Sequence, residues 1–234
     1  MTALYPRSSA VLLHRALRDY PVAVVTGPRQ SGKSTLLRQA LPQWQILSLE
    51  DLDLREFATQ DPRAFLRRYP APVILDEVQR VPSLLSYIQT AVDDSGRMGQ
   101  YVLSGSQQFS LMAGVTQSLA GRASLIELLP LRLKELADGG AMPGTLDAYL
   151  LQGGYPAVHA RRLDTHRYYA DYVASYVERD VRALIQLRDL SRFQQFLVLL
   201  AGRTGQIADY TSLANDVGIS STTIKQWISV LKAS

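Results

Sequence analysis

Residues 27–34, Gly27-Pro28-Arg29-Gln30-Ser31-Gly32-Lys33-Ser34, match Gly-x-x-x-x-Gly-Lys-Ser/Thr without deviation. This stretch constrains the fold more than any other. Its glycines let backbone N–H groups turn inward around an anion, and the segment that follows must open a helix whose positive end faces that anion. A buried strand must therefore lead in and a helix lead out. The β-branched run Val22-Ala23-Val24-Val25 supplies the first, and a helical pattern from Lys33 supplies the second. Lys33 is placed to reach the β- and γ-phosphates of a nucleotide, and Ser34 to offer a hydroxyl to Mg²⁺. Gly27, Pro28, Arg29, Gln30, Ser31, Gly32 and Thr35 complete the expected binding loop, so ATP and Mg²⁺ are the expected cofactors.

Further apolar runs at Ile46–Leu49, Pro72–Leu75, Tyr101–Leu103 and Leu125–Leu129 alternate with helical patterns, beginning with a helix over Ser8–Asp19 behind a serine cap. This alternation predicts an α/β fold, a parallel five-stranded sheet with flanking helices of the P-loop NTPase type. Glycine and proline concentrate at Asp138–Gly144, which places a first domain at 1–138. Residues 145–234 read as an all-α region.

The strand Val73-Ile74-Leu75 runs into Asp76-Glu77. Asp76 is expected in the magnesium shell and Glu77 as the group that orients and deprotonates water. Parallel strands deliver their C-terminal ends to one edge, so the turn after Tyr101-Val102-Leu103 brings Ser104, Ser106 and Gln107 toward the same site. Ser106 is the expected γ-phosphate contact, because Ser104 still falls within the strand. Leu103–Gln107 resembles the ABC-transporter signature, but it follows the acidic strand instead of preceding it, which excludes that reading. Arg122, in Leu119-Ala120-Gly121-Arg122, is expected to complete a neighbouring subunit's site, which implies a homo-oligomer. An ordinary surface arginine is the competing reading.

The net charge of +4 and pI near 9.4 are compatible with a nucleic-acid partner without demanding one. With no cysteine the chain has no disulfide framework or thiolate metal site, which fits a reducing cytoplasm. The apolar run near the N-terminus is broken by His14 and Arg15, and the run Phe196–Ala201 is far shorter than a span, so neither secretion nor a membrane segment is expected. His14, His159 and His166 show no metal-ligand spacing. GTP is disfavoured because no Asn-Lys-x-Asp element is present, the chain's single asparagine being Asn215.

Near the end, Thr211–Ser220 and Ser221–Leu231 read as helix, glycine turn at Gly218, helix, a winged-helix-like helix-turn-helix at about 205–232. Ile219, Ile224 and Ile228 are expected inside. Ser221, Thr222, Thr223, Lys225 and Gln226 are expected outside, where they suit the major groove of duplex DNA. Protein contact or domain packing suits the same pattern, since the second helix carries few cations.

Together, Val25–Ser34, Leu75–Arg80, Ser104-Gly105-Ser106-Gln107, Leu119–Arg122, Gly153-Gly154-Tyr155-Pro156 and Tyr176-Val177-Glu178-Arg179-Asp180-Val181 resemble a prokaryotic family of AAA-like ATP-binding proteins with a C-terminal domain of unassigned function. The resemblance covers nearly the whole chain. It implies an ATP-binding core with a DNA-binding-like appendage, and by analogy the roles already given to Lys33, Ser34, Asp76 and Glu77. Members of that family usually continue past the position of Ser234, so a truncated C-terminal domain is expected. The expected function is a Mg-dependent ATPase that couples nucleotide state to the appendage. The alternatives are a nucleotide-gated switch with negligible turnover and a small-molecule kinase, the second disfavoured by the paired carboxylates.

Overall fold

A computed structural model describes residues 4–105, 115, 117–176 and 190–233. Residues 1–168 and 169–234 form two compact units.

The first unit is built on β1 (Val22–Thr26), β2 (Gln45–Ser48), β3 (Val73–Asp76), β4 (Tyr101–Ser104) and β5 (Ala123–Glu127), all parallel in the order β2-β3-β4-β1-β5. β1 lies between β4 and β5 and is buried along its whole length, which explains an apolar run with no polar alternation from Val22 to Val25. Two apolar layers cover the sheet. Val22, Val24, Leu75 and Leu103 face one, with α3 (Leu52–Gln60), α4 (Pro62–Arg68) and α5 (Leu84–Ser95). Ala23, Val25, Ile74 and Val102 face the other, with α1 (Ser9–Asp19) and α2 (Lys33–Ala40). The alternation of side chains along each strand thus feeds both cores.

Local chemistry sets several helix starts. Asp51 and Asp61 accept hydrogen bonds from Leu54 and Ala64 N–H and so cap α3 and α4. The serine cap expected for α1 is absent: Ser8 has helical dihedrals and no side-chain cap bond, and its N–H instead donates to Glu135 Oε1. β5 begins two residues earlier than its apolar run, because Ala123 and Ser124 pair with Val22 and Ala23 although an edge strand asks less hydrophobicity of them.

After the sheet come α6 (Leu133–Asp138), α7 (Leu146–Gln152), α8 (Pro156–Arg161) and α9 (Thr165–Tyr176). The turn Gly153-Gly154 lies against the segment after β5, where Leu131 N–H donates to Gly154 O. A Cβ on Gly154 would stand 2.4 Å from Leu131 O, so only glycine permits this approach.

The described residues of the second unit include α10 (Leu190–Ala201), α11 (Tyr210–Val217) and α12 (Ser221–Ala233). Phe193, Phe196, Leu213, Val217, Ile224 and Trp227 make a separate core in which Trp227 meets both phenylalanine rings edge-on. Asp209 caps α11, and Gly218 ends it in the left-handed conformation. Ser220 Oγ accepts from Thr223 N–H and the Ser220 and Thr223 hydroxyls meet at 2.8 Å, so Thr223 serves the start of α12. No helix among the described residues is long and apolar enough to cross a membrane.

Candidate functional site

The C-terminal ends of the strands meet at one edge, and strand register decides which side chains do. Ser48 lies beside Asp76, Asp76 beside Ser104, and Ser104 beside Val25, one residue before the strand gives way to the loop. The Asp76 carboxylate accepts from two sides: Ser34 Oγ donates to Oδ2 at 2.8 Å, and Ser104 Oγ donates to Oδ1. Ser104, the last residue of β4, thus meets Asp76 across the two strands. Ser106 and Gln107 lie outside the described residues, as do Glu178, Arg179 and Asp180.

The loop itself is locked by its glycines. Gly27 has φ +141, and a Cβ there would stand 2.2 Å from Leu128 O. Gly32 has φ +97, with Arg7 Nη1 at 3.4 Å and Pro156 Cγ at 3.6 Å from where its Cβ would be. Ser31 is fully buried and its hydroxyl has no hydrogen-bond partner among the described residues. Gln30, at φ 60, is exposed, and the Tyr168 hydroxyl donates to its Oε1 at 2.7 Å. Thr35 is exposed on α2.

Lys33 is buried, and its Nζ donates to the carbonyls of Gly27 at 2.9 Å and Pro28 at 3.0 Å. Burial lowers its pKa, Glu77 and Asp76 oppose that shift, and Arg29 adds to it. The two carbonyls that hold the Lys33 ammonium belong to the loop itself, so the cation is kept at the loop where phosphates would lie. Glu77 also adopts a left-handed conformation, φ 58 and ψ 41, and Gln79 Nε2 donates to its Oε2. A non-glycine residue held there stores of the order of 1 kcal/mol, a feature common at working sites.

Among the described residues no group of three or more His, Asp or Glu side chains gathers to hold a metal alone. A serine hydroxyl against a carboxylate is instead a hard oxygen set that suits Mg²⁺ shared with nucleotide phosphates. The residues present fit that cation, with Ser34 and Asp76 as its protein side.

Arg122 does not join this cluster. Its carbonyl accepts from Val22 N–H at the start of β1, the sheet edge opposite the loop. Its guanidinium makes a two-pronged pair with Asp93, Nε to Oδ1 at 2.5 Å and Nη2 to Oδ2 at 2.9 Å, which raises its pKa and lowers that of Asp93.

Residues 19–137 match the family model described as AAA domain. The chain belongs to that AAA family. Residues 144–234 of this AAA protein match a model described as a domain of unknown function. Uncharacterized proteins of Mycobacterium tuberculosis and Mycobacterium bovis are each 29% identical over 230 residues, 96% of this chain and 51% of theirs. The chain therefore spans about half the length of these relatives. The Walker-type ATPase of Pyrococcus abyssi is structurally similar, with TM-score 0.52 and 18% identity over 92% of this chain and 89% of that one. The AAA member described here thus has a P-loop ATPase fold.

Arg7, Glu135, Gln79 and Tyr168 escaped sequence reasoning. Arg7 and Tyr168 reach the loop from distant parts of the chain without a local pattern. Gln79 lies two residues after Glu77, and its polarity after a buried strand was the available signal.

Proposed function

We propose that this chain binds ATP with Mg²⁺ and hydrolyses it, and that nucleotide state is coupled to the C-terminal helices. The observation carrying this reading is Asp76, held between Ser34 and Ser104 beside the phosphate loop, with Glu77 next to it. Loop N–H groups and Lys33 bind the phosphates, Lys33 exchanging its two carbonyl partners for phosphate oxygens. Bound Mg²⁺ would neutralise charge on the phosphates. Glu77 takes a proton from water as the water oxygen bonds to the γ-phosphorus and the bond from that phosphorus to the β–γ bridging oxygen breaks, giving ADP and phosphate. Ser106 is proposed to contact the γ-phosphate. A cytoplasmic location belongs to this reading.

Arg122 is proposed to enter a neighbouring copy's site in a homo-oligomer, because on its own chain it occupies the edge away from the loop. Entry requires exchange of Asp93 for phosphate. Duplex DNA is the proposed partner of the appendage as a helix-turn-helix. α12 exposes Ser221, Thr222, Lys225, Gln226 and Ser229 along one face, whereas Ile224 is buried and Ile219 and Ile228 pack on the core.

Phosphate release by wild type, Lys33→Ala and Glu77→Gln, each with and without duplex DNA, tests the hydrolytic reading. Turnover in wild type and its loss in both variants supports it; wild type without turnover refutes it. A second reading, a nucleotide-gated switch with negligible turnover, draws support from the hydrogen bond that engages Glu77 with Gln79. It predicts that ATP changes duplex affinity in fluorescence anisotropy without phosphate release, and unchanged affinity rules it out.

A further inference from the structure

We propose that Arg7 is a positioning residue for the phosphate loop, acting on the Ser31–Gly32 peptide and itself fixed by Glu135. The inference rests on the nucleotide-binding reading above and adds a device outside the Gly27–Thr35 stretch.

Arg7 lies before α1, and its side chain is 6% exposed. Nη1 donates to Ser31 O at 2.8 Å, Nη2 donates to Leu129 O, and Nε faces Glu135 Oε2 at 3.3 Å. Glu135 is itself 3% exposed and accepts from Ser8 N–H at 2.7 Å and Arg132 N–H at 3.0 Å. One guanidinium thereby joins the N-terminal segment, the phosphate loop, the stretch after β5 and α6.

The consequence for the loop follows from peptide geometry. In a trans peptide the carbonyl and the next N–H point in opposite directions. Holding the Ser31 carbonyl toward Arg7 turns the Gly32 N–H away from it. Gly32 is the second glycine of the motif, and its N–H is among those such loops aim at phosphate. Its φ of +97 lets the peptide take the required orientation. Arg7 fixes in advance a donor that would otherwise have to be ordered when ATP arrives.

The planar fork matters as much as the charge. An ammonium cannot serve the Ser31 carbonyl, the Leu129 carbonyl and the Glu135 carboxylate in these three directions at once. Glu135 balances a cation that would otherwise be buried alone. Burial acts to raise the Glu135 carboxyl pKa, but the Arg132 and Ser8 N–H bonds and the Arg7 charge outweigh it, so the group stays ionised.

The test uses the full chain with ATP–Mg²⁺: calorimetric affinity, the Gly32 amide resonance and thermal midpoints for wild type, Arg7→Lys, Arg7→Ala and Glu135→Gln. Arg7→Lys should lose about tenfold or more in affinity, as for a buried charged hydrogen bond, and should shift the Gly32 amide before ATP is added. Guanidinium ion at millimolar concentration should restore part of the affinity of Arg7→Ala; if that variant does not fold, Arg7→Lys carries the test. Wild-type affinity in Arg7→Lys, or a loss that tracks the thermal midpoint with the Gly32 amide unmoved, overturns the proposal while leaving nucleotide binding intact. A wild type that binds no ATP overturns the nucleotide reading and this inference together.

Discussion

The two units use the same repertoire of helices for different ends, and their backbones show it. In the first, Gln30, Glu77 and Arg162 hold positive φ without being glycine, two of them at the phosphate site. Among the described residues of the second, positive φ occurs only at Gly205 and Gly218. The first unit accepts local strain to aim backbone and carboxylate groups, and its surrounding β-sheet over-determines those positions. The second packs relaxed helices around Phe193, Phe196 and Trp227 and presents side chains from an unstrained surface. Side chains held at positive φ thus belong to the unit with the phosphate loop and not to the described part of the other.

The sharpest way to break this contrast is Gly27→Ala. With φ +141 and a contact at 2.2 Å to Leu128 O, an added methyl should displace the loop and weaken ATP affinity by about a hundredfold or more, with α10–α12 unaffected. Calorimetry and the fluorescence of Trp227, read in a Trp44→Phe background, check both halves. Trp227→Ala makes the reciprocal cut. Loss of a large core aromatic should cost about 3–5 kcal/mol in the second unit while ATP binding persists, giving two separated transitions in thermal melts.

Ser104→Ala removes one of the two hydroxyls on Asp76. It should lower turnover about tenfold with a smaller change in ATP affinity, which steady-state kinetics would separate. The smallest effect concerns pH. Glu135 has a lowered folded-state pKa, so its contribution is complete above its unfolded value of about 4.3 and is lost as pH falls through the folded value. Glu135→Gln should be less stable than wild type at neutral pH, and the gap should narrow below about pH 4 in denaturant titrations.

Much of the first unit was legible because its signals are local. The loop, the β-branched run before it and the strand ending in Asp76-Glu77 each occupy a few consecutive residues, and parallel strands carry them to one edge by rule. What escaped was set by register or by distance. Ser104 was expected at the site edge, but its hydrogen bond to Asp76 depends on the register of β3 and β4, which no spacing in the sequence expresses. Arg7 with Glu135, and Gln30 with Tyr168, meet only after the chain folds, and Arg7, Glu135 and Tyr168 each look like ordinary polar residues in their own neighbourhoods. The start of β5 was misplaced because an edge strand needs little apolar character at Ala123 and Ser124. For α11 and α12 the inward isoleucines were readable from helical period, whereas what the opposite face touches is a matter of surface chemistry.

The most direct test of the account is calorimetric titration of ATP–Mg²⁺ into wild type and Lys33→Ala, with folding checked by thermal melts. The account predicts saturable binding at one site per chain in wild type and at least a hundredfold weaker binding in the folded variant. No binding to folded wild type, or equal affinity in the two proteins, would contradict the assignment of this sheet edge as a nucleotide site.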